Sequence, residues 1–155
     1  MATSRVTGRI IRWLDIEYVG AHMRERDASE CWRLTRMSPM DALITAIRHS
    51  DHKWTIALDD HPIGCYGDTA DADDPRSGIP WALGTPKGYE ATAEVLDFMR
   101  KQCAEWQSRY DYLYNIVDAE NQPAINWLME LGFTLYEPEP RGVEGELFIP
   151  FDWRR

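Results

Sequence analysis

The densest cluster of potential ligands in this chain is the acidic segment Asp68-Thr-Ala-Asp-Ala-Asp-Asp74. Carboxylate oxygens are the ligands that Ca²⁺ and Mg²⁺ prefer, so the segment is a candidate cation site. A calcium loop also requires a central glycine and a terminal glutamate, and this segment has neither. We therefore interpret Asp68–Gly78 as an acidic, solvated loop, and we predict no metal site.

Cysteine and histidine side chains supply nucleophiles and metal ligands, but their spacing here favours neither role. The three cysteines, Cys31, Cys65 and Cys103, form no Cys-x-x-Cys pair and are odd in number. Free thiols in a reducing cytosol are the simplest explanation. Cys65 lies inside a strand-like run with no evident histidine partner, which favours a buried thiol over a nucleophile. The four histidines show no metal-ligand spacing.

The charge balance excludes binding to nucleic acid by bulk electrostatics. The chain carries 17 basic and 26 acidic residues, a net charge of −9, and would be repelled by a phosphate backbone. Two groups of basic residues are interpreted as solvated helix faces: Arg24, Arg26, Arg33 and Arg36, and Arg100, Lys101 and Arg109. No apolar run approaches the ~18 residues that a membrane span requires.

The clearest structural signal is a helix between two strand-like runs, Tyr112–Val117 and Phe133–Tyr136. Asn121 is a good N-cap, because its side-chain oxygen can accept from an unpaired amide of the first turn. Pro123 lies in that first turn, where a missing N–H costs nothing, and Gly132 is a typical left-handed helix end. The apolar residues that recur at helical spacing, and that should face a sheet, are Ala124, Ile125, Leu128 and Leu131.

The remaining pattern alternates short strands and helices within a length, 155 residues, that predicts one domain, 1–155. Ser38 is predicted to cap a helix with Pro39 at its first position. The other predicted elements are a strand at Arg9–Leu14, helical turns at Ile16–Met23 and Ala28–Leu34, a hairpin of Lys53–Leu58 and Ile63–Gly67 around Asp59–Pro62, a strand at Ile79–Leu83, the longest helix at Tyr89–Arg109, a loop at Glu137–Gly145 and a last strand at Glu146–Phe151.

The segment Asn121–Phe133 resembles the C-terminal motif of the GNAT acyl-CoA N-acyltransferases, roughly Asn-x-x-Ala-Ile-x-x-Tyr-x-x-Leu-Gly-Phe. The element order is also similar, and implies an α+β, GNAT-like fold with a mixed, mostly antiparallel sheet of six to seven strands flanked by helices. The chain is most similar to a phage-encoded branch related to small internal virion proteins of short-tailed phages. The matching pieces are Arg24–Glu30, Trp54–Asp68, Pro80–Gly84, Tyr112–Val117, Asn121–Phe133 and Pro138–Gly145.

This resemblance implies a site for acetyl-CoA between the strands Ile79–Leu83 and Tyr112–Val117. In the family these strands splay, the pantetheine arm lies in the gap, and backbone N–H groups polarise the thioester carbonyl. The next helix N-terminus receives the pyrophosphate. The implied cofactor-binding residues here are Trp81, Leu83, Gly84, Thr85, Lys87, Gly88, Asn115 and Asn121. Asn115 is expected to bond either the cofactor arm or a neighbouring loop.

The same resemblance also exposes departures from the family's active site. The Gln/Arg-x-x-Gly-x-Gly/Ala loop is absent, and Pro86 removes one amide donor. The family's usual acid position is Leu128, which has no proton to give. Asp68 is the nearest candidate base, and Tyr112 and Tyr114 are candidate substitutes, although tyrosines in strands more often serve packing.

Two functions are therefore compatible with the sequence. The first is an acetyl-CoA-dependent N-acetyltransferase with a degenerate active site, acting on a host protein during infection. The second is a phage protein without catalysis, which keeps the fold and binds a virion component or a host protein. Both imply a protein partner and a location in the virion or the host cytoplasm.

Overall fold

The computed structural model describes residues 4–155. Its strands are β1 Val6–Arg9, β2 His52–Leu58, β3 His61–Ala70, β4 Ser77–Gly84, β5 Tyr112–Asp118, β6 Thr134–Leu135, β7 Glu139–Pro140 and β8 Leu147–Arg154. Its helices are α1 Trp13–Ala21, α2 Glu25–Thr35, α3 Pro39–His49, α4 Thr92–Arg109 and α5 Gln122–Glu130, with a short 3₁₀ helix at Pro86–Ala91 before α4. No helix among the described residues has the length and apolar character needed to cross a membrane.

All eight strands form one sheet, in the order β1-β2-β3-β4-β5-β8-β6, with β7 also paired to β8. Only the β4–β5 pair is parallel, and the other neighbours are antiparallel. The predicted mixed, mostly antiparallel α+β fold is confirmed. The strand beyond the predicted six to seven is β7, a two-residue strand inside the predicted loop at Glu137–Gly145.

Helices cover both faces of the sheet. Val19 of α1 and Leu43 of α3 are fully buried in one layer together with Cys65 of β3. On the other face, Met99 and Trp106 of α4 pack with residues of β5, β8 and α5. The three cysteines are free, as predicted, and all are buried, and burial raises the pKa of each thiol to about 12. They are therefore inert at neutral pH.

Three helix-terminus predictions are confirmed by the local hydrogen bonds and backbone angles. The Ser38 hydroxyl accepts from the Asp41 N–H at 3.1 Å at the start of α3. The Asn121 side-chain oxygen accepts from the Ala124 N–H at 3.4 Å at the start of α5. Gly132 has a φ of 91°, the left-handed conformation expected after the helix.

The predicted strand at Arg9–Leu14 is wrong, because a helix cap interrupts it. Strand β1 ends at Arg9, and α1 begins at Trp13. The Asp15 carboxylate accepts from the Arg12 N–H at 2.9 Å, which fixes the start of the helix. Ile10, Trp13 and Leu14 face solvent, with Leu14 72% exposed, and Ile11 packs against the core.

Several other element boundaries differ from the predicted ones because tertiary contacts extend or shorten the helices and strands. The predicted acidic loop Asp68–Gly78 is shorter, as β3 continues to Ala70 and β4 starts at Ser77. The hairpin turn is only Asp59–Asp60, both with positive φ, 49° and 63°. The longest helix starts at Thr92 instead of Tyr89, after the 3₁₀ helix.

Gly132 and Gly88 allow a matched test of the α5 terminus. A Cβ would meet no atom within 4 Å at either position, but only Gly132 has a positive φ. Gly132→Ala should therefore cost about 1–2 kcal/mol of unfolding free energy, which lowers the melting temperature by roughly 2–4 °C per kcal/mol. Gly88→Ala should leave it within about 1 °C. Equal effects in thermal denaturation would contradict the assigned backbone conformation.

Candidate active site

The parallel strands β4 and β5 pair only at Ser77–Tyr112 and Gly78–Leu113, and then separate. Each strand stays bonded on its other edge, since β4 pairs with β3 along Gly78–Gly84 and β5 pairs with β8 along its whole length. The sheet is therefore split in its middle, while the strands on both sides of the split stay hydrogen-bonded to their outer neighbours.

A cavity of about 310 Å³ occupies this gap and reaches both helical layers. Its lining is mostly apolar. Lining residues from the sheet include Pro80, Trp81, Ala82, Leu83, Asn115, Ile116 and Val117. Those from the layer of α2 and α3 include Arg24, Asp27, Glu30, Cys31, Leu34, Thr35, Ala42 and Ala46. Those from the layer of α4 and α5 include Val95, Met99, Trp106, Ala124, Trp127, Leu128 and Leu131. An elongated ligand with a mainly apolar surface fits such a passage.

The backbone of β4 directs alternate residues toward the gap. The Pro80 carbonyl accepts from Asn115 Nδ2 at 2.8 Å across the split, and the Gly84 N–H donates to Asp27 Oδ2 at 3.0 Å. Because successive peptide groups of a strand point in opposite directions, the N–H and C=O of Ala82 lie on the same side. Ala82 therefore presents one donor and one acceptor to the cavity.

At the open end of the gap, the residues expected to bind pyrophosphate are engaged with α2. The Arg24 N–H donates to the Gly84 carbonyl at 2.8 Å, and its guanidinium donates to Asp27 Oδ2 at 2.8 Å. A Cβ at Gly84 would lie 3.0 Å from Arg24 Nη2, so glycine permits this close approach. The Asp27 carboxylate thus accepts the hydrogen bond from the Gly84 N–H that a bound phosphate would otherwise accept.

The next residues of the predicted loop are also bonded within the protein. The Thr85 N–H and hydroxyl both donate to the Ile63 carbonyl at 2.9 Å. The Gly88 N–H donates to Thr85 at 3.2 Å, and Lys87 pairs with Glu90 at 3.5 Å. Only Lys87 can exchange its partner for a phosphate at little cost, because its ion pair is at the surface.

The candidate base Asp68 is held by three donors and a contact with His52, and it lies outside the cavity lining. The residue is 1% exposed. Trp106 Nε1 and Arg109 Nη1 donate to Oδ2 at 2.9 Å, the Tyr110 hydroxyl donates to Oδ1 at 2.6 Å, and His52 Nδ1 is 2.9 Å from Oδ1. Asp68 therefore connects the β2–β3 hairpin to the end of α4, and these contacts favour a structural role over a catalytic one.

The candidate residues Tyr112 and Tyr114 share one face of β5, as their alternation predicted. Their rings stack with centroids 5.5 Å apart. The Tyr112 hydroxyl donates to Asp152 at 2.9 Å, and the Tyr114 hydroxyl donates to Asp71. The Asp71 hydrogen bond raises the pKa of Tyr114 to about 12. Neither ring is among the cavity-lining residues, so the geometry favours packing for both.

Glu30 is a cavity-lining acid to which the sequence reasoning assigned no role. Its Oε1 accepts from the Asp118 N–H at 2.7 Å and from Asn121 Nδ2 at 3.5 Å. Its Oε2 has no hydrogen-bond partner among residues 4–155. Burial raises its pKa to about 7, and the nearby Asp27 and Asp118 carboxylates add to the shift. A carboxyl with this pKa suits proton transfer at neutral pH.

A signal for Glu30 was present in the sequence. Asp27 and Glu30 are three residues apart, and Leu34 follows four residues later, so all three share one helix face. Two acids on a helix face that also carries apolar residues indicate a functional site, because unpaired carboxylates are rarely buried.

Asn121 caps α5 as predicted and also contacts α2, while its contact with the cofactor stays a prediction. Its oxygen caps α5, and its Nδ2 donates to Asp27 Oδ1 at 3.1 Å. It is 2% exposed. Asn121 therefore connects α5 to α2 and helps to position both acids, Asp27 and Glu30.

The acidic segment gives no metal centre in the structure. Asp71 and Asp74 instead bond to the loop backbone, where they accept from the N–H groups of Asp73 and Arg76. Within residues 4–155, no group of three or more His, Cys, Asp or Glu side chains is placed to hold a metal ion.

Comparison with known proteins identifies the fold and no sequence family. The sequence matches no protein-family model and no curated protein. The structure is similar to spermidine N-acetyltransferase from Vibrio cholerae in complex with CoA and spermine, with a TM-score of 0.73, 13% identity, and coverage of 98% of this chain and 96% of that chain.

Two further solved structures support the same assignment. A GNAT-family acetyltransferase from Bacillus anthracis has a TM-score of 0.70 at 11% identity, over 97% of this chain and 95% of that chain. An aminoglycoside acetyltransferase in complex with coenzyme A has a TM-score of 0.69 at 13% identity, over 97% and 95%. The chain therefore has the GNAT acyltransferase fold.

The raised pKa of Glu30 predicts a specific pH dependence of stability. A carboxyl that holds its proton more tightly when folded stabilises the protein fully below its usual pKa of 4.5, and this contribution is lost as pH rises through about 7. Relative to Glu30→Gln, the wild-type protein should lose up to about 3 kcal/mol between acid and weakly alkaline pH. Urea denaturation of both proteins across that range measures the difference, and parallel pH profiles would contradict it.

Proposed function

We propose that this chain is an acetyl-CoA-dependent N-acetyltransferase with an altered active site, in which Glu30 is the base. The observation that carries the proposal is the split between β4 and β5, where a cavity contains both the backbone groups of Ala82 and the available oxygen of Glu30. The GNAT fold supports it, because solved neighbours of this fold contain CoA.

The cofactor arm would lie in the gap and bond the backbone of Ala82. The N–H of Ala82 would then polarise the thioester carbonyl as an oxyanion hole does. The walls beside it would be Trp81, Leu83 and Asn115, and the open end would be formed by Gly84, Thr85, Lys87, Gly88 and Asn121. Arg24 and Lys87 are the cations available there for phosphate groups.

The chemical step would use one proton transfer to Glu30. An amine nitrogen attacks the thioester carbonyl carbon, and the Glu30 carboxylate takes the proton that the nitrogen loses as the new C–N bond forms. The tetrahedral intermediate collapses, the C–S bond breaks, and CoA leaves as a thiolate. Leu128 supplies no proton, so the thiolate takes one from Glu30 or from solvent.

We expect weak acetyl-CoA binding, with a dissociation constant of about 0.1 mM or higher, because Asp27 competes for the Gly84 amide and adds negative charge. Asp27→Asn should tighten binding roughly tenfold by removing that charge. Asp41→Asn, an exposed acid on α3, is the control and should change nothing. Isothermal titration measures the acetyl-CoA dissociation constant of the wild type and both variants. Micromolar binding by the wild type would refute competition between Asp27 and the cofactor for the Gly84 amide.

Turnover should depend on Glu30 and not on neighbouring acids. Glu30→Gln should lower kcat about 10²-fold or more, and the wild-type rate should rise with pH through about 7 as the carboxyl ionises. Glu25→Gln, an exposed acid on the same helix, should be neutral. Leu128→Tyr should raise kcat or leave it unchanged by restoring an acid. CoA release is the measurement, and an active Glu30→Gln variant would exclude this base.

The second candidate is a protein without catalysis that binds a virion component or a host protein. The occupation of backbone groups at Pro80 and Gly84 by Asn115 and Asp27 favours it, because side chains then replace contacts a cofactor arm would make. Its phage origin and location in the virion or host cytoplasm rest on the sequence resemblance. Absence of acetyl-CoA binding at millimolar concentration, together with recovery of the chain from purified virions, would establish it.

A further inference from the structure

Residues of α2, α3 and β4 line one part of the cavity, and we call this part the compartment. Small side chains, Ala42 and Ala46 of α3 and Cys31 of α2, line it on the helical side. Trp81 and Leu83 line it on the sheet side, and the Trp81 indole is fixed by a 2.6 Å hydrogen bond from Nε1 to the Ser50 hydroxyl. The compartment is thus an apolar space with at least one rigid wall.

One available carboxylate lines the same cavity. Glu30 Oε2 has no partner among the described residues, whereas Asp27 already accepts from Arg24, Gly84 and Asn121. The other charged residues lining the cavity within residues 4–155 are Arg24 and Asp27. The compartment therefore offers a site for a single cation and apolar surface for the rest of a ligand.

We propose that this compartment binds the acyl acceptor, and that the acceptor is a monoamine on an apolar, ring-sized body. This inference rests on the proposed function of the site. An apolar cavity of about 150 Å³ admits benzene, and the whole cavity here, which the cofactor arm would share, measures about 310 Å³. The amine meets Glu30, and the ring packs against Ala42, Ala46 and Trp81.

A polyamine does not fit this arrangement. Its second ammonium would lie against Leu34, Ala42 and Ala46, where no carboxylate of the cavity lining remains to pair with it. Placing a cation against apolar side chains without a partner is unfavourable, and Arg24 adds repulsion at the polar end. The same argument excludes a lysine side chain whose peptide backbone would have to enter the compartment.

The direct test compares 2-phenylethylamine, spermidine and Nα-acetyl-lysine amide as acceptors of acetyl groups. We expect 2-phenylethylamine to have the highest kcat/KM, by tenfold or more, with the acetylated product identified by mass spectrometry. Equal or better use of spermidine or the lysine derivative would overturn the acceptor class. Isothermal titration of 2-phenylethylamine without acetyl-CoA gives an independent reading, and absence of binding at 10 mM, roughly the weak limit of such titrations, would also overturn it.

A variant that fills the compartment tests whether the acceptor binds there. Ala46→Leu should raise the KM for 2-phenylethylamine, or abolish its binding, while the dissociation constant for acetyl-CoA stays within about twofold. Ala104→Leu, at an exposed position of α4, is the control. If Ala46→Leu does not fold, Ala42→Val provides a smaller filling of the same wall. An unchanged KM in a folded filled variant would remove the compartment from the acceptor site.

The two proposals can fail separately. Acetyl-CoA binding and turnover with preference for another amine would leave the transferase and refute the acceptor. Binding of 2-phenylethylamine, lost in Ala46→Leu, without any binding of acetyl-CoA would refute the transferase and leave the amine site.

Discussion

The structure depends on one interruption of regular sheet pairing, the separation of β4 from β5 after Gly78. A buried peptide group without a partner is strongly destabilising, so a split in the middle of a sheet needs substitute partners. Side chains supply them here: Asn115 bonds the Pro80 carbonyl and Asp27 bonds the Gly84 amide. The cavity exists because these two contacts satisfy the backbone without closing the gap.

The position of α2 follows from this requirement. Asp27 reaches Gly84 only if the helix lies over the ends of β4 and β5, and several polar contacts hold it there. Arg33 pairs with the buried Asp118 at 2.8 Å, and Asn121 donates to Asp27 from the start of α5. The arrangement gathers three carboxylates, and burial, with repulsion from Asp27 and Asp118 added to it, is the reason that Glu30 holds its proton to near neutral pH. The raised pKa of Glu30 is thus a consequence of how the split sheet is closed at its end.

Local signals in the sequence were sufficient for much of this fold. Ser38, Asn121 and Gly132 act within one helical turn, so their effect could be predicted from neighbours alone. Arg9–Leu14 was predicted wrongly because alternation of apolar residues does not reveal that Asp15 caps a helix from within. The extent of β3 was missed because Asp68–Ala70 pair with Gly78–Pro80 of β4, a contact that the local sequence does not reveal.

The split between β4 and β5 could be predicted, but the polar groups that lie in it could not. The resemblance located the two strands that separate, since that feature belongs to the topology. Which polar groups occupy the gap depends on side chains that meet only in three dimensions, such as Asn115 with Pro80.

A backbone group in the gap can be satisfied by a ligand or by the protein itself, and the fold is compatible with either solution. Pro80 has no N–H, and its carbonyl is already bonded to Asn115, while the Gly84 amide is bonded to Asp27. Ala82 is therefore the residue of β4 on which polarisation of a thioester would depend, with a single N–H. One such donor typically lowers the barrier of acyl transfer by about 3–4 kcal/mol, and under the proposed function this contribution would not depend on contacts to the cofactor phosphates. Weak cofactor binding and retained transfer are thus compatible in the same molecule.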